Sequence, residues 1–401
     1  MASPFKTRES EMEAESRKAA NFPEVEKSLF EKYSDGDMSL VDKFTSFLGT
    51  NNPFGKKATP EENEVWLLDN TAYRPTKSGK LEPWQAEFVC AYFIKGRKDL
   101  NKDVSKLLDT LGLDGELGKD PAVTKTIEER LKPFVHAISP AHSIELNIDR
   151  KLGPSDPNGI SSQVLLTGGG DDANGKTVQC TSIEGYPPTT NTMTFVAPEG
   201  WLICSDIDDT IKRTMTPDPL GVLKSTFVDE PEVIKGMPEL YRTIDEHFSP
   251  AWFYLSASPY NLYPFLRKFI NANFKQGTII LRDKSWMFFA GLLQSLTEGV
   301  QEYKTDRLRK IHSWLPQRKV ICIGDSTQSD PESYAALYRE FPGWIKAIYI
   351  RKVTDAPFMD QKNRDERFQK AFKDIPSSDW TVFEKPSELN NHLKHLTGEV
   401  H

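Results

Sequence analysis

The sequence lacks long apolar runs, which limits how the chain can meet a membrane. None of its 401 residues lies in a stretch approaching the ~20 apolar residues that span a bilayer. The opening residues MASPFKTRESEMEAE are charged and lack the apolar segment of a secretory signal. We therefore expect a cytoplasmic protein without a transmembrane segment, whose only membrane contact is peripheral.

Cysteine is also scarce, and the four cysteines are scattered: Cys90, Cys180, Cys204 and Cys322. Their spacing lacks the close pairs that hold zinc or build a disulfide framework. Cys204 and Cys322 lie in apolar runs, where a thiol behaves as a small core residue. We expect all four to be reduced thiols.

Positive charge is not in excess. The 51 Lys and Arg residues against 58 Asp and Glu residues give a formal net charge of −7. A basic surface is usual in proteins that bind nucleic acid in bulk, so we predict no nucleic-acid partner. The segment 304–319 is locally basic and could either attract an anionic lipid or form a solvated helix face.

Changes in composition predict four segments along the chain. These are a charged, flexible tail and linker (1–60), a helical amino-terminal region (61–142), a small β-rich module (143–197) and an α/β domain (198–401). Within the tail, 40–48 has the pattern of a short amphipathic helix. Apolar residues spaced three or four apart predict helices over 84–94 and 122–134.

The last segment alternates between two patterns. Short apolar runs (WLICSD, AWFYLS, GTIIL, KVICIGD and AIYIRK) are separated by amphipathic stretches. This alternation is typical of βαβ units with a parallel sheet. In such sheets ligands bind outside the carboxyl ends of the strands, so reactive residues are expected there.

One phosphate-loop motif fails in its context. Residues 170–177 read GDDANGKT, which matches G-x-x-x-x-G-K-T. A phosphate loop must open a helix, but the β-like VQCTSI and two prolines follow. The Asn174–Gly175 pair favours a β-hairpin instead.

Two carboxylates follow the run WLICS in the pattern D-x-D-x-T. Residues on alternate strand positions face the same side, so Asp206 and Asp208 could divide nucleophilic attack and proton exchange between them. A calcium loop begins similarly, but Ile211 and Pro217 occupy the positions that need Gly and an acid. Taken alone, the motif is equally explained by a polar strand end that caps the next helix.

Further polar residues follow the motif in the order of the apolar runs. Ser256 ends AWFYL, Lys304 begins an amphipathic stretch, and Asp325 and Asp330 follow KVICI. Each alone has a commoner explanation, such as a turn, a surface lysine or a helix cap. Together they favour a catalytic site, in which the two later acids could bind Mg²⁺ through oxygen.

This set resembles the four motifs of the haloacid-dehalogenase (HAD) superfamily of phosphatases. SDIDDTIK, YLSASPYNLYPFL and IGDSTQSDPESY are closer still to the fungal actin-patch phosphatidate phosphatase catalytic-domain family, which is related in outline to the lipins. The resemblance covers about 198–353. It implies a HAD-like Rossmannoid parallel sheet without a large cap domain, preceded by the helical and β-rich amino-terminal segments.

The resemblance also implies catalytic roles. Asp206 would be the nucleophile, and Asp208 would act first as general acid and then as general base. Thr210 would support the motif loop. Ser256 and Lys304 would hold the transferring phosphoryl group, with the lysine offsetting its charge.

The same resemblance implies a Mg²⁺ site. Asp325 would bind the ion together with the Asp206 carboxylate and the Asp208 backbone carbonyl, and Asp330 would orient a metal-bound water. One position departs from the family pattern, because Thr327 stands where Gly is expected. If that position needs a positive φ, Thr is a poor occupant.

Motif spacing bears on the substrate. Ser256 lies 46 positions after Thr210, and Lys304 lies 48 positions after Ser256. These intervals already contain helices and a strand, so no cap domain fits and we expect an open active site. Arg282 and Tyr260 are candidate substrate-binding residues, and 286–293 (WMFFAGLL) is a candidate apolar rim, although most of these side chains fit a buried core equally well.

These observations lead to one preferred hypothesis and two alternatives. The preferred one is a Mg²⁺-dependent phosphatidate phosphatase that releases phosphate and diacylglycerol through an aspartyl phosphate. It would meet its anionic phospholipid substrate at a membrane surface, and the resemblance adds actin patches as a location. The alternatives are a phosphatase acting on a phosphoprotein or a soluble phosphomonoester, and an inactive membrane-associated scaffold.

Overall fold

The computed structural model describes residues 9–33, 56–95, 100–113, 115, 120–135, 137–283 and 289–397. The helix expected over 40–48 lies outside these residues, as do 1–8 and 34–55 of the expected tail and linker and 286–288 of the expected apolar rim. None of the helices in the described ranges is long and apolar enough to cross a membrane.

The described helices are α1 Glu11–Ala19, α2 Phe22–Tyr33, α3 Leu100–Thr110, α4 Pro121–Val135, α5 Pro219–Phe227, α6 Met237–Phe248, α7 Tyr263–Asn273, α8 Phe289–Thr297, α9 Val300–Trp314, α10 Asp330–Glu340, α11 Asp365–Ala371 and α12 Asn390–Thr397. Short 3₁₀ helices occupy Asp171–Ala173, Tyr260–Leu262 and Pro386–Leu389.

The described strands are β1 Lys56–Lys57, β2 Asn63–Leu67, β3 Asn70–Tyr73, β4 Thr76–Lys77, β5 Lys80–Leu81, β6 Gln85–Ile94, β7 Ala137–Ile138, β8 His142–Leu146, β9 Arg150–Leu152, β10 Ile160–Leu166, β11 Thr177–Gln179, β12 Thr192–Val196, β13 Trp201–Asp206, β14 Ala251–Pro259, β15 Thr278–Arg282, β16 Lys319–Asp325, β17 Ile345–Arg351 and β18 Trp380–Phe383.

Six parallel strands form the sheet of the carboxyl-terminal segment, in the order β15-β14-β13-β16-β17-β18. Both faces of this sheet are buried. Leu202 and Cys204 pack with Leu308 of α9, whereas Ile203, between them, packs with Ile244 of α6. Burial on both faces is typical of parallel sheets, and the predicted α/β class is confirmed.

The helix predicted over 84–94 is wrong, because β6 occupies this segment and pairs with β2, β3, β7 and β10. Phe88 and Tyr92 pack into one core cluster, and Ala91 and Phe93 into another. A strand that is buried on both faces has no clear alternation, so its apolar pattern imitates a buried helix. The helix predicted over 122–134 is confirmed by α4.

The GDDANGKT segment does not form the hairpin expected of Asn174–Gly175. A 3₁₀ turn covers Asp171–Ala173, and β11 then pairs with β12 rather than with β10, so the hairpin prediction is wrong. No helix follows the motif, and Lys176 Nζ lies 2.5 Å from the carboxylate of Asp172. The lysine of the motif is therefore paired with a carboxylate, and the Thr177 hydroxyl contacts the Thr194 hydroxyl at 2.9 Å.

Residues 11–33, which composition assigns to the charged tail, form α1 and α2. Ser10 and Glu13 make a reciprocal capping box at the start of α1. Arg17 pairs with Glu26 of α2 at 2.9 Å, and α2 packs on α8. Charge in this segment therefore serves helix caps and a buried ion pair.

Candidate active site

The carboxyl ends of three neighbouring strands converge at one point. Asp206 is the last residue of β13, Asp325 is the last residue of β16, and Ser256 lies in the second half of β14. Asp206 pairs in register with Leu255, directly before Ser256. The predicted convergence of these motif residues is thus produced by the strand order.

Lys304 and three acids form the centre of the site, here called the acid–lysine cluster (Asp206, Lys304, Asp325 and Asp330). The Lys304 Nζ lies 2.6 Å from Asp206 Oδ1 and also contacts Asp330 Oδ1. One carboxylate oxygen from each acid lies within 4.8 Å of the others. All four side chains are fully buried.

Burial dominates the electrostatics of this cluster. It raises the pKa of Asp206 well above its ordinary range, and Lys304 acts in the opposite direction. Burial and the nearby Asp330 raise the pKa of Asp325 to about 7. Burial lowers the pKa of Lys304, but the neighbouring carboxylates of Asp206, Asp330 and Asp325 more than offset this, so its net pKa is raised.

The cluster fits a divalent cation. Three buried carboxylates face one ammonium, so ionisation of all four groups leaves an excess of negative charge in a desolvated site. Such an excess is costly unless a cation compensates it. The donors are all oxygen, which suits a hard ion such as Mg²⁺.

Thr210 supports the nucleophile candidate. Its hydroxyl lies 3.0 Å from Asp206 Oδ2 and 3.4 Å from Asp325 Oδ2. The hydroxyl therefore lies between the carboxylates of two strands and favours one orientation of the Asp206 side chain. The catalytic role of Thr210, support of the motif loop, stays a prediction.

Asp208 is held in place by two hydroxyls. Its Oδ2 accepts a hydrogen bond from Ser256 Oγ, and its Oδ1 accepts one from Thr214 Oγ1 at 2.8 Å. The Ser258 amide in turn donates to Ser256 Oγ at 2.9 Å. The Asp208 carboxylate is outside the set of acids close enough to share a metal.

Asp209 has a structural part that the sequence reasoning missed. Its φ is 57°, in the left-handed region that Asp tolerates better than most residues. Its carboxylate accepts from the amides of Thr214, Met215 and Thr216, each at 2.8 Å. Arg351 donates to its carbonyl oxygen at 2.7 Å. The third Asp in DIDDT was the available signal.

Gly324 and Asp330 approach each other closely in the second acidic motif. The Asp325 amide donates to Asp330 Oδ2 at 3.0 Å. A Cβ on Gly324 would lie 2.3 Å from that same oxygen, so any side chain there displaces Asp330. Thr327 is absent from the positive-φ residues of the described ranges, and its presence imposes no left-handed strain.

The two candidate substrate residues have different surroundings. Tyr260 is 2% exposed, donates its hydroxyl proton to the Asn158 carbonyl and packs against Phe93. These contacts join it to the amino-terminal sheet.

Arg282 ends β15, two strands away from Asp206 in the sheet. It is 4% exposed, donates to the Glu298 carbonyl at 2.7 Å and stacks over Tyr303. Its Nε has no hydrogen-bond partner among the residues that the structure describes, and burial lowers its pKa to about 10. No carboxylate of the described residues forms an ion pair with it.

Within the part of the chain that the structure describes, the site residues are buried rather than exposed in the open cleft that we expect from the motif spacing. Asp206, Asp208, Ser256 and Lys304 are each at most 2% exposed. A cavity of about 330 Å³ lies beside the loops that follow the two acidic motifs. Its walls include residues from these loops and from α1: Thr216, Thr327, Ser329, Met12, Glu13 and Arg17.

The basic segment 304–319 is mostly neutralised. Arg307 pairs with Asp283 at 2.9 Å, and Arg309 pairs with Glu340 at 2.8 Å. Arg318 donates to two backbone carbonyls. This segment therefore stabilises the fold more than it offers a free basic surface.

The segment that contains these residues is similar in sequence to a known family. Residues 201–352 match the family model of the phosphatidate phosphatase APP1 catalytic domain. The resemblance to this catalytic-domain family is confirmed. The matched segment contains the acid–lysine cluster, Asp208, Thr210 and Ser256, and ends before α11.

Two fungal proteins are similar to the chain. Phosphatidate phosphatase APP1 of Saccharomyces cerevisiae is 34% identical over 196 residues, which cover 46% of this chain and 33% of the yeast protein. An uncharacterized protein of Schizosaccharomyces pombe is 33% identical over 159 residues, which cover 38% of this chain and 25% of that protein. The chain therefore aligns with a third or less of either relative.

Proposed function

We propose that this protein is a Mg²⁺-dependent phosphatidate phosphatase that forms an aspartyl phosphate. The observation that carries the proposal is the contact of Lys304 Nζ with both Asp206 and Asp330 beside Asp325. A buried ammonium beside a carboxylate nucleophile stabilises the charge of a transferring phosphoryl group. The similarity to the APP1 catalytic domain supports the same chemistry.

The reaction has two displacements. A carboxylate oxygen of Asp206 attacks the phosphorus, and the bond to the leaving glyceride oxygen breaks. The Asp208 carboxyl group gives that oxygen its proton, so diacylglycerol leaves as an alcohol. Asp208 then takes a proton from the water that attacks the aspartyl phosphate, which releases inorganic phosphate and regenerates Asp206.

The residues around Asp206 and Asp208 orient the two carboxylates, and a bound cation would offset their negative charge. Thr210 and Ser256 orient the Asp206 and Asp208 carboxylates through the hydrogen bonds described above. Asp325, the Asp206 carboxylate and the Asp208 backbone carbonyl would hold Mg²⁺, with Asp330 beside them. When bound, the ion supplies Lewis-acid stabilisation of the phosphoryl oxygens.

Arg282 is the candidate for a further contact to the anionic substrate. A guanidinium buried without a carboxylate partner is costly, and an anion beside it relieves that cost. The position at the carboxyl end of β15, on the same sheet edge as Asp206, supports this assignment. Tyr260 has no such support, because its hydroxyl is engaged by Asn158.

Substrate access requires a conformational opening. The reacting side chains are buried, and a phosphate on a lipid must reach Asp206 directly. Binding to a membrane surface can accompany this opening, because the membrane supplies both the lipid substrate and an apolar environment for the opened site. We therefore propose a peripheral membrane enzyme rather than one that acts on freely diffusing phosphomonoesters.

The test compares substrates at equal phosphate concentration. The full chain is assayed for Mg²⁺-dependent phosphate release from phosphatidate in detergent mixed micelles, from a phosphopeptide and from a soluble aryl phosphate. We expect preference for phosphatidate, loss with a chelator and loss in Asp206→Asn. Asp171→Asn, at an exposed residue outside the site, is the matched control.

The outcomes separate the hypotheses. Equal or better hydrolysis of the phosphopeptide or aryl phosphate would overturn the lipid substrate and keep the phosphatase. No metal-dependent release from any of the three would favour the inactive scaffold.

A further inference from the structure

Three successive backbone carbonyls follow Asp325, and two cations from a distant segment bind all three. Arg367 donates through Nη1 to the Ser326 carbonyl and through Nη2 to the Gln328 carbonyl, both at 2.6 Å. Lys362 Nζ donates to the Thr327 carbonyl at 2.5 Å. The loop 326–329 connects Asp325 of β16 to Asp330 of α10, so these cations hold the chain between two acids of the cluster.

We propose that Lys362 and Arg367 are positioning residues that fix loop 326–329 and, through it, the carboxylate of Asp325. Both lie beyond residues 201–352, the segment that matches the catalytic-domain family. The inference rests on the proposed function only in taking Asp325 as a metal ligand.

Peptide geometry transmits the contact to Asp325. In a planar trans peptide the C=O of one residue and the N–H of the next point in opposite directions. The Ser326 carbonyl points to Arg367, so the Thr327 N–H points away from it, and this amide donates to Asp325 Oδ1 at 2.5 Å. Fixing one end of the peptide therefore fixes the donor that orients the carboxylate at the other end.

The two cations are themselves anchored. Arg367 makes a two-pronged contact with Glu332 of α10, with both distances at 2.9 Å. Phe368, the next residue, is 3% exposed and packs in the same core cluster as Tyr334 of α10. Arg367 Nη1 also donates to the Lys362 carbonyl at 2.9 Å, which links the two cations. The segment that holds the loop is thus rigidly placed.

A planar guanidinium suits this arrangement better than an ammonium. Its fork presents several donors in fixed directions, so one side chain can bind two carbonyls and a carboxylate together. Lysine at position 367 would keep the charge but reach only part of this set. The Arg367→Lys variant therefore separates geometry from charge.

The purely structural alternative is that Arg367 only stabilises α11 through Glu332. Glu332→Gln tests it, because it weakens that ion pair while the carbonyl contacts remain. Lys370→Ala is a matched control in the same helix, at an exposed lysine. Lys362→Met removes one carbonyl contact and leaves the Arg367–Glu332 pair intact.

The first measurement is amide hydrogen exchange over 324–330 in the full chain without metal. We expect Arg367→Lys, Arg367→Gln and Lys362→Met to speed exchange in this loop about tenfold. Glu332→Gln, which keeps an acceptor for Arg367, should have a clearly smaller effect, and Lys370→Ala should leave exchange near wild type. The second measurement is calorimetric titration with Mg²⁺ alone. Altered support of a metal ligand typically costs about 10–100-fold in affinity, and we expect that loss in Arg367→Lys.

The third measurement is steady-state kinetics. We expect the positioning variants to lower kcat and to need more Mg²⁺, with the KM for phosphatidate within about twofold of wild type, as for an interaction that acts on the reacting groups rather than on substrate binding. Loop exchange and Mg²⁺ affinity at wild-type levels in both Arg367→Lys and Lys362→Met would overturn the inference. If Arg367→Gln does not fold, the results for Arg367→Lys and Lys362→Met test the inference.

The experiments distinguish failure of the proposed function from failure of the positioning role. A wild-type chain that neither binds Mg²⁺ nor releases phosphate rejects that function. Faster loop exchange in the variants would still support the positioning role of Lys362 and Arg367, and unchanged exchange would reject it as well.

Discussion

The Lys304 ammonium lies 2.6 Å from Asp206 Oδ1, and neither side chain has measurable exposure. In water such a pair contributes little, but in a buried site the loss of one partner leaves the other without compensation. The same contact therefore bears on both stability and catalysis. Variants of the two residues are expected to differ in which property they lose.

Replacing Asp206 by Asn is expected to remove activity and preserve the fold. Asparagine has nearly the same shape, and Lys304 keeps its contact with Asp330, but an amide cannot form the acyl phosphate. We expect phosphate release to fall by at least about 10³-fold. Circular dichroism and the urea midpoint serve as controls, and residual activity above a tenth of wild type would contradict Asp206 as the nucleophile.

Replacing Lys304 by Met is expected to destabilise the protein. Three buried carboxylates would then face one another without their ammonium, and breaking a buried pair typically costs about 3–5 kcal/mol. Equilibrium urea unfolding without metal measures the loss. Adding Mg²⁺ should recover part of it, because the cation restores compensation. A stability unchanged by the substitution would show that the acids are already protonated.

Arg282 is expected to lower the stability of the folded chain and to strengthen binding of the substrate. Arg282→Met removes a buried guanidinium that lacks a carboxylate partner, so the free energy of unfolding should stay constant or rise. The same change should raise the KM for phosphatidate by about tenfold, since a hydrogen bond to a charged group is lost. If the KM for phosphatidate is unchanged while the free energy of unfolding rises, Arg282 does not contact the substrate.

The pH dependence of stability should reveal the buried amine of Lys362. Burial lowers its pKa to about 8 from an ordinary value of 10.5, and Arg367 acts in the same direction while Asp325, Asp209 and Glu13 oppose it. Between these two pH values the unfolded chain holds a proton that the folded chain has released. The free energy of unfolding contributed by this group therefore rises with pH across that window.

Comparing wild type with Lys362→Met isolates this contribution, because the other titrating groups are common to both. Urea unfolding at several pH values from about 8 to 10.5 should show the wild type gaining stability relative to the variant. A difference that stays flat or falls over this window would mean that Lys362 titrates normally.

Much of the site was predictable because its residues follow strands that are recognisable from their apolar runs. Asp206, Ser256 and Asp325 each end or follow such a run, and strand order alone brings them together. The contacts of Glu13 with Ser329 and of Arg367 with loop 326–329 were not predictable. They join residues that are far apart in the chain and carry no local pattern.

The errors have identifiable physical causes. The apolar pattern of β6 predicts a helix because both faces of this strand are buried and its apolar residues do not alternate. The short motif intervals predict an open cleft, yet Asp206 is fully buried, and α1 lies beside the loops that follow the acidic motifs. Neither cause is visible in residue spacing, because each depends on which elements pack together.

The close approach of Gly324 and Asp330 has a consequence for reading related sequences. With 2.3 Å between a hypothetical Cβ and the Asp330 oxygen, the two positions cannot vary independently. A homologue that keeps the acid must keep the glycine, and one that gains a side chain at 324 must have moved or replaced the acid. In an alignment of related sequences, positions 324 and 330 should therefore be compared together. This comparison would distinguish relatives that retain the lysine-bound acid from those that have diverged in chemistry.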